Sequence, residues 1–146
     1  MNIKKISTGL YVSGQISPTD LPVIAAQGIR SIVSNRPDGE APTQPSSAEL
    51  AEAAREFGLE FCHIPVVSRT LTDDVADEFD LVLQELQGPV LAYCRSGTRS
   101  VYLWALGQAK TQDVDTLIRM AANAGYDLSG LQPRLRLRSA ASDSES

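Results

Sequence analysis

Pro89-Val90-Leu91-Ala92-Tyr93-Cys94-Arg95-Ser96-Gly97-Thr98-Arg99-Ser100 is the stretch on which the reading of this chain turns. Its first five residues form a short apolar run that predicts a buried strand. Its end opens an apolar, helix-like stretch over residues 99–110. Between the two lies a small turn holding a glycine. Strand, tight turn and helix start, in that order, make an anion cradle: the turn's N–H groups converge, and the helix N-terminus adds partial positive charge. In that field a thiolate is favoured over a thiol, and the thiolate is the nucleophile.

Working outward from this stretch, strands are expected over 10–13, 29–34, 59–67 and 89–93, and helices over 17–27, 48–57, 73–87, 99–110 and 113–123. Residues 35–47 hold three prolines and a glycine, which excludes a regular element. Residues 128–137 offer one more turn. The alternation predicts an α/β fold with a mostly parallel four- to five-stranded sheet flanked by helices. Reactive groups of such sheets lie beyond the C-terminal strand ends, where Cys94 falls. Residues 1–138 are expected to form a single domain, and the small, polar 139–146 a disordered tail.

The formal net charge of -5 excludes general nucleic-acid binding, so an anionic substrate has to be drawn in by a local field. No apolar run reaches membrane-spanning length, and Lys4 and Lys5 are followed by no apolar signal core, so neither a membrane partner nor secretion is expected. Two cysteines without metal-ligand spacing fit a reducing cytoplasm. No metal and no organic cofactor is implied.

Cys94 is the expected nucleophile; the alternative, a buried structural cysteine, leaves the nearby glycine and arginine without a purpose. Gly97 lets the backbone approach a ligand. Arg99 offers a planar fork that binds two oxygens of a tetrahedral anion. Arg95, Ser96, Thr98 and Ser100 complete the substrate-binding loop, with Arg95 directed outward around the mouth. Ser100 is read either as a donor to the sulfur or as a solvent-facing first-turn residue. A second constellation, Asn35-Arg36-Pro37-Asp38-Gly39-Glu40, leaves a strand on the same side of the sheet. There Asp38 or Glu40 is a candidate proton donor, Asp38 preferred, and Arg36 a candidate anion holder; the competing reading is a plain surface turn. His63, the one histidine, lies mid-strand and reads as a satisfied structural residue. Cys62 faces the opposite side of that strand and reads as core, with a role as resolving thiol for Cys94 as the alternative. Trp104 reads as packing.

Several motifs in order then resemble a known family. Leu10-Tyr11-Val12-Ser13-Gly14-Gln15-Ile16-Ser17-Pro18, Asn35-Arg36-Pro37-Asp38-Gly39-Glu40, Gln44-Pro45, His63-Ile64-Pro65-Val66, the Cys94 loop and Ala124-Gly125-Tyr126-Asp127-Leu128 are similar to the β-lactamase hydrolase-like protein, phosphatase-like domain family. The resemblance covers about residues 2–135. It implies a fold like that of dual-specificity phosphatases. In some members the domain is fused to a metallo-β-lactamase-like domain, which implies a functional link to an enzyme of sulfur metabolism. The loop departs from tyrosine phosphatases, which place five residues between cysteine and arginine; Cys94 and Arg99 are separated by four. They also usually carry histidine where this chain has Tyr93, and their general acid follows the strand that here holds His63. At that place stand Ser68, Arg69 and Thr70. In this the loop resembles rhodanese sulfurtransferases.

Two activities are therefore expected to compete. The first is a cysteine-dependent phosphatase-like hydrolase working through a phosphocysteine on Cys94, with Arg99 holding the phosphoryl oxygens and Asp38 donating the proton. The second is sulfur transfer through a Cys94 persulfide. In both, the partner is a small anionic substrate: a phosphate ester or a sulfane-sulfur donor. A noncatalytic anion-binding module is the third reading, and the reactive thiol argues against it.

Overall fold

The structure, a computed structural model, describes residues 2–145. Strands β1 (Lys4–Ser7) and β2 (Leu10–Ser13) lead through a 3-10 turn at Pro18–Asp20 into helix α1 (Leu21–Ala26). Then follow β3 (Ser31–Ser34), α2 (Ser47–Glu56), β4 (Glu60–His63), α3 (Asp73–Glu85), β5 (Val90–Tyr93), α4 (Thr98–Gln108), α5 (Val114–Asn123) and α6 (Gln132–Glu145). The sheet order is β1-β2-β5-β3-β4, with β1 antiparallel to β2 and the remaining pairs parallel. The strand that delivers Cys94 is thus the central one. All four residues of β5 are buried, which explains why it reads as an unbroken apolar run.

Register divides the side chains between two cores. Val12, Ala92 and Val33 lie side by side and pack with Phe79 of α3, Trp104 of α4 and Leu117 of α5. Leu91, Ile32 and Tyr93 take the other face, against Leu21 and Ile24 of α1 and Leu50 and Ala54 of α2. A fully buried Leu or Ile contributes roughly 1.5–3 kcal/mol. Side-chain caps set the helix starts: Ser46, Thr72 and Asp113 each accept from the backbone N–H three residues on.

Three departures from the sequence expectation have plain causes. Strand β1 escapes notice because Lys4 and Lys5 sit exposed on an edge strand, a common guard against edge pairing that hides apolar alternation. Strand β4 stops at His63, well short of residue 67, because regular register with β3 is lost beyond it, two residues advancing there against one of β3. Its continuation still hangs beside β3, with Ile64 N donating to Ser34 O at 2.8 Å and Val66 N to Asn35 O at 3.1 Å. The third departure is at the C-terminus. The stretch from Ser139, expected to be disordered, continues α6 as far as Glu145; Ser146 lies outside the described residues. Buried Leu135 and Arg138 hold that helix down, Arg138 donating to Leu106 O at 2.7 Å and pairing with Asp77, and no glycine or proline follows to end it.

Candidate active site

Two loops leave the C-terminal ends of adjacent strands, β5 and β3, and meet above the sheet. From β5, Cys94 stays in register with β2, its N–H donating to Ser13 O at 3.4 Å. The backbone then passes so close to Gly14 that a Cβ there would lie 2.8 Å from Arg95 O. Gly14 therefore gives the loop its path. Gly97 caps α4 with φ of 94°, a left-handed conformation that favours glycine. Its N–H donates to Cys94 Sγ at 3.0 Å. Cys94 is 1 % exposed, enclosed by its own loop. Arg95 and Ser96 are exposed, and Ser96 Oγ lies 3.0 Å from Thr98 Oγ1.

Arg99 follows in the first turn of α4. Its Nη1 donates to Glu40 Oε2 at 2.8 Å and to Val66 O at 2.8 Å, and its Nη2 donates to Glu40 Oε1 at 2.9 Å. A guanidinium carries five N–H donors. Three are used, which leaves one on Nε and one on Nη2; these point side by side in the guanidinium plane, a fork for two oxygens of an anion. The Glu40 carboxylate raises Arg99 above its usual value, and the nearby Cys94 sulfur raises it further.

The β3 loop supplies the other half. Arg36 is 5 % exposed; its Nε donates to Glu40 Oε1 at 3.0 Å and its Nη1 to Gln15 Oε1 at 3.0 Å. Glu40 thus lies between two guanidinium groups. The Arg99 bond, partly offset by burial and assisted by Arg36, holds its carboxyl down from 4.5 to about 2. Arg36 was expected to hold a substrate anion; its terminal contacts here are to Glu40 and Gln15. Asp38 was the preferred proton donor and is placed differently. Its Oδ1 accepts from Ser47 N at 2.8 Å and its Oδ2 from Ser47 Oγ at 2.9 Å, at the start of α2. Those two bonds hold the Asp38 carboxyl below the usual carboxylate range, and a carboxyl held low is a poor acid.

Ser100 takes neither role expected of it. It is fully buried, and its Oγ donates to Asn35 Oδ1 at 2.7 Å. Asn35, given no separate task by sequence, also donates through Nδ2 to Ile64 O at 3.0 Å and through its backbone N to Tyr93 O at 2.8 Å. One buried amide therefore ties the ends of β3, β4 and β5 to the start of α4. The only signal for this was a polar side chain directly after a β-branched strand. His63, at the end of β4 and not mid-strand, places Nε2 2.9 Å from Arg36 O, a satisfied structural contact. Cys62 packs against the core, where burial and Glu78 push its thiol up. It lies beside Val33, which lies beside Ala92, so two strand spacings and two residues separate it from Cys94. That is about 10 Å or more and excludes a resolving disulfide. Trp104 is core.

A cysteine beyond the central parallel strand, an amide on its sulfur and an arginine in the next helix's first turn define a phosphatase-like fold of the protein tyrosine and dual-specificity phosphatase kind. The chain belongs to the beta-lactamase hydrolase-like protein, phosphatase-like domain family, whose model matches residues 2–111. A beta-lactamase hydrolase-like protein from Agrobacterium fabrum is 38% identical over 109 residues, which are 75% of this chain and 25% of that protein. The chain thus spans about a quarter of the length of the curated relatives it matches. A crystal structure of a candidate phosphatase from Neisseria meningitidis Z2491 is 36% identical, covers 94% of this chain and 99% of that one, and has a TM-score of 0.86. The catalytic core of a PP-IP phosphatase from S. cerevisiae shares the fold alone, at 12% identity and a TM-score of 0.67 over 94% of this chain and 85% of that one. Among the described residues no helix is long and apolar enough to cross a membrane.

Proposed function

We propose that the chain is a cysteine-dependent phosphohydrolase acting on small phosphate compounds with good leaving groups. The observation that carries this is the Gly97 N–H on Cys94 Sγ beside an Arg99 that keeps two N–H groups beyond its bonds to Glu40 and Val66 O and that also interacts with the Cys94 sulfur. Arg99 and the loop amides hold the phosphoryl oxygens. The thiolate attacks phosphorus, so the S–P bond forms as the P–O bond to the leaving group breaks. Water then attacks the phosphocysteine, breaking S–P and releasing inorganic phosphate. Arg95 lines the mouth and adds positive field there against the net charge of -5, and the Thr98 hydroxyl is a further substrate-binding group.

The leaving group decides the substrate class. Glu40 is held at about 2 by Arg99, and Asp38 is held low by Ser47, so both carboxyls are ionised near neutral pH. General acid catalysis supplies roughly 10²–10⁴ in rate where it operates. With neither carboxyl holding a proton, the departing oxygen leaves as its anion and takes a proton from water, which restricts useful rates to aryl phosphates and other stabilised leaving groups. The finding that the curated relatives extend well beyond this chain leaves a functional link to a metallo-β-lactamase-like sulfur enzyme as a further part of the proposal.

One side-by-side assay tests the reading. Purified protein is expected to release phosphate from para-nitrophenyl phosphate, far faster than from phenyl phosphate, and Cys94→Ser to abolish both. Thiocyanate formation from thiosulfate and cyanide, with no phosphate released from either ester, overturns it in favour of persulfide chemistry on the same cysteine.

A further inference from the structure

Tyr126 is a side chain that neither the strand-end loops nor the proposed chemistry accounts for. It stands just beyond α5, with its backbone N–H donating to Ala121 O at 2.9 Å. Its hydroxyl reaches 30 residues back and donates to Ser96 O at 3.0 Å. That carbonyl belongs to the same peptide unit as the Gly97 N–H. The single cis peptide bond among the described residues is Gly88–Pro89, so the Ser96–Gly97 unit is trans and planar. In a trans unit the C=O and the N–H point in opposite directions. A hydroxyl that fixes the carbonyl on the outside of the loop therefore fixes the N–H on the inside, where it meets Cys94 Sγ at 3.0 Å.

From this opposition we infer that Tyr126 is a positioning residue for the nucleophile, acting through the Ser96–Gly97 peptide to keep the Gly97 N–H on the Cys94 sulfur. Two further observations fit. A Cβ on Gly97 would lie 2.1 Å from the Tyr126 hydroxyl, so glycine is needed both for φ of 94° and for the contact itself. Burial, then the charge of Cys94, pushes the Tyr126 phenol above its usual value, so it remains an O–H donor across the neutral range. A free peptide in a glycine-bearing turn can turn over and present its carbonyl to the sulfur. That arrangement opposes negative charge where the present one supports it. Arg99 does not depend on Tyr126, since Glu40 and Val66 hold it from the other side. Sulfur reactivity and anion binding should therefore come apart in a Tyr126 variant.

As a statement about turnover the inference rests on the phosphohydrolase reading; as a statement about the sulfur it does not, and the test is chosen accordingly. Tyr126→Phe removes one oxygen from a half-buried ring. Three measurements on the full chain are compared with the parent: the Gly97 amide resonance in a 1H–15N spectrum, the rate of Cys94 alkylation by iodoacetamide at pH 7, and the rise in Tm with inorganic phosphate. The resonance is expected to move substantially and the alkylation rate to fall roughly tenfold, the scale of one hydrogen bond to a charged group. The phosphate-induced rise should be kept. If para-nitrophenyl phosphate is a substrate, kcat falls with alkylation while KM stays within about twofold. An unmoved Gly97 resonance with alkylation within twofold of the parent overturns the inference. So does a joint loss of alkylation and of the phosphate-induced rise, which would make Tyr126 a support for the whole loop and not for the sulfur. The expected fall in alkylation of the variant, with a parent that turns over no phosphate ester, sinks the phosphohydrolase reading and leaves this inference standing.

Discussion

The loops that leave β5 and β3 emerge side by side, carry arginine and glycine in similar density, and do opposite electrostatic work. The β5 loop gathers donors: the Gly97 N–H on the Cys94 sulfur, the Arg99 guanidinium and the start of α4. The β3 loop gathers acceptors and a buried cation, and its Glu40 carboxylate is spent on the arginine of its neighbour. Arginine is a long side chain with many rotamers, and an unheld one loses that freedom each time it binds. The β3 loop removes that cost beforehand by fixing one edge of the guanidinium. In the proposed function the anion cradle is thus one loop that binds and a second that holds the first in shape.

The largest effect should come from breaking the binding loop. In Arg99→Lys a single ammonium replaces a planar fork that serves Glu40 and Val66 O and, in the proposed function, an anion as well. Turnover of para-nitrophenyl phosphate is expected to fall about 10²–10³-fold, the scale of losing a built oxyanion donor. The rise in Tm with phosphate should largely vanish. A lysine variant that keeps both would mean the anion sits elsewhere and that the division between the loops is misdrawn.

That division was half legible in the sequence. The β5 loop carries its meaning within a few residues, because strand, cysteine, glycine and arginine act on one another locally. The β3 loop does not. Pro37-Asp38-Gly39 is a strong turn signal and supported the plain surface turn against the preferred reading of Asp38 as acid; the turn sends Asp38 back to Ser47 and brings Glu40 forward to Arg99, 59 residues away. Asn35, Gly14 and Tyr126 stayed silent for the same reason: their partners at Ser100, Arg95 and Ser96 are near only after folding. The sheet was readable because burial on both faces makes β5 uniformly apolar. Strand β1 was not, because an edge strand with lysines satisfies no simple pattern.

A smaller effect sharpens the comparison from the holding side. Glu40→Gln keeps the shape but removes the charge and one acceptor from Arg99 and Arg36. Turnover is expected to fall roughly tenfold, about 1.4 kcal/mol, by the same factor on good and poor leaving groups. A loss confined to poor leaving groups would instead make Glu40 the acid. The pH dependence of stability gives a second reading. The Glu40 carboxyl is lowered on folding from 4.5 to about 2, so its contribution is complete above pH 4.5 and is lost as pH falls toward 2. The parent's Tm should therefore decline more steeply than the variant's across that window, and parallel curves would remove the pair from the account.

The smallest effect tests what the β3 loop does not do. Asp38→Asn keeps one acceptor for the N–H of Ser47 and loses the charge beside the positive end of α2. Weakening such a cap costs from a few tenths to about 1 kcal/mol. For a chain of this size that is at most a few degrees in Tm. The sign with pH follows from a carboxyl lowered on folding: the contribution is present above the usual carboxylate value near 4 and disappears as pH falls below it. Melting curves at pH 7 and pH 3 should thus differ between parent and variant at the higher pH and converge at the lower. Turnover should stay within about twofold for para-nitrophenyl and phenyl phosphate alike, because Asp38 is tied to α2 and touches neither Arg99 nor Cys94. A selective collapse on phenyl phosphate would require Asp38 to leave Ser47 during turnover and protonate the leaving oxygen. The β3 loop would then be a moving acid and not a fixed brace, and the limit on leaving groups would fall with it.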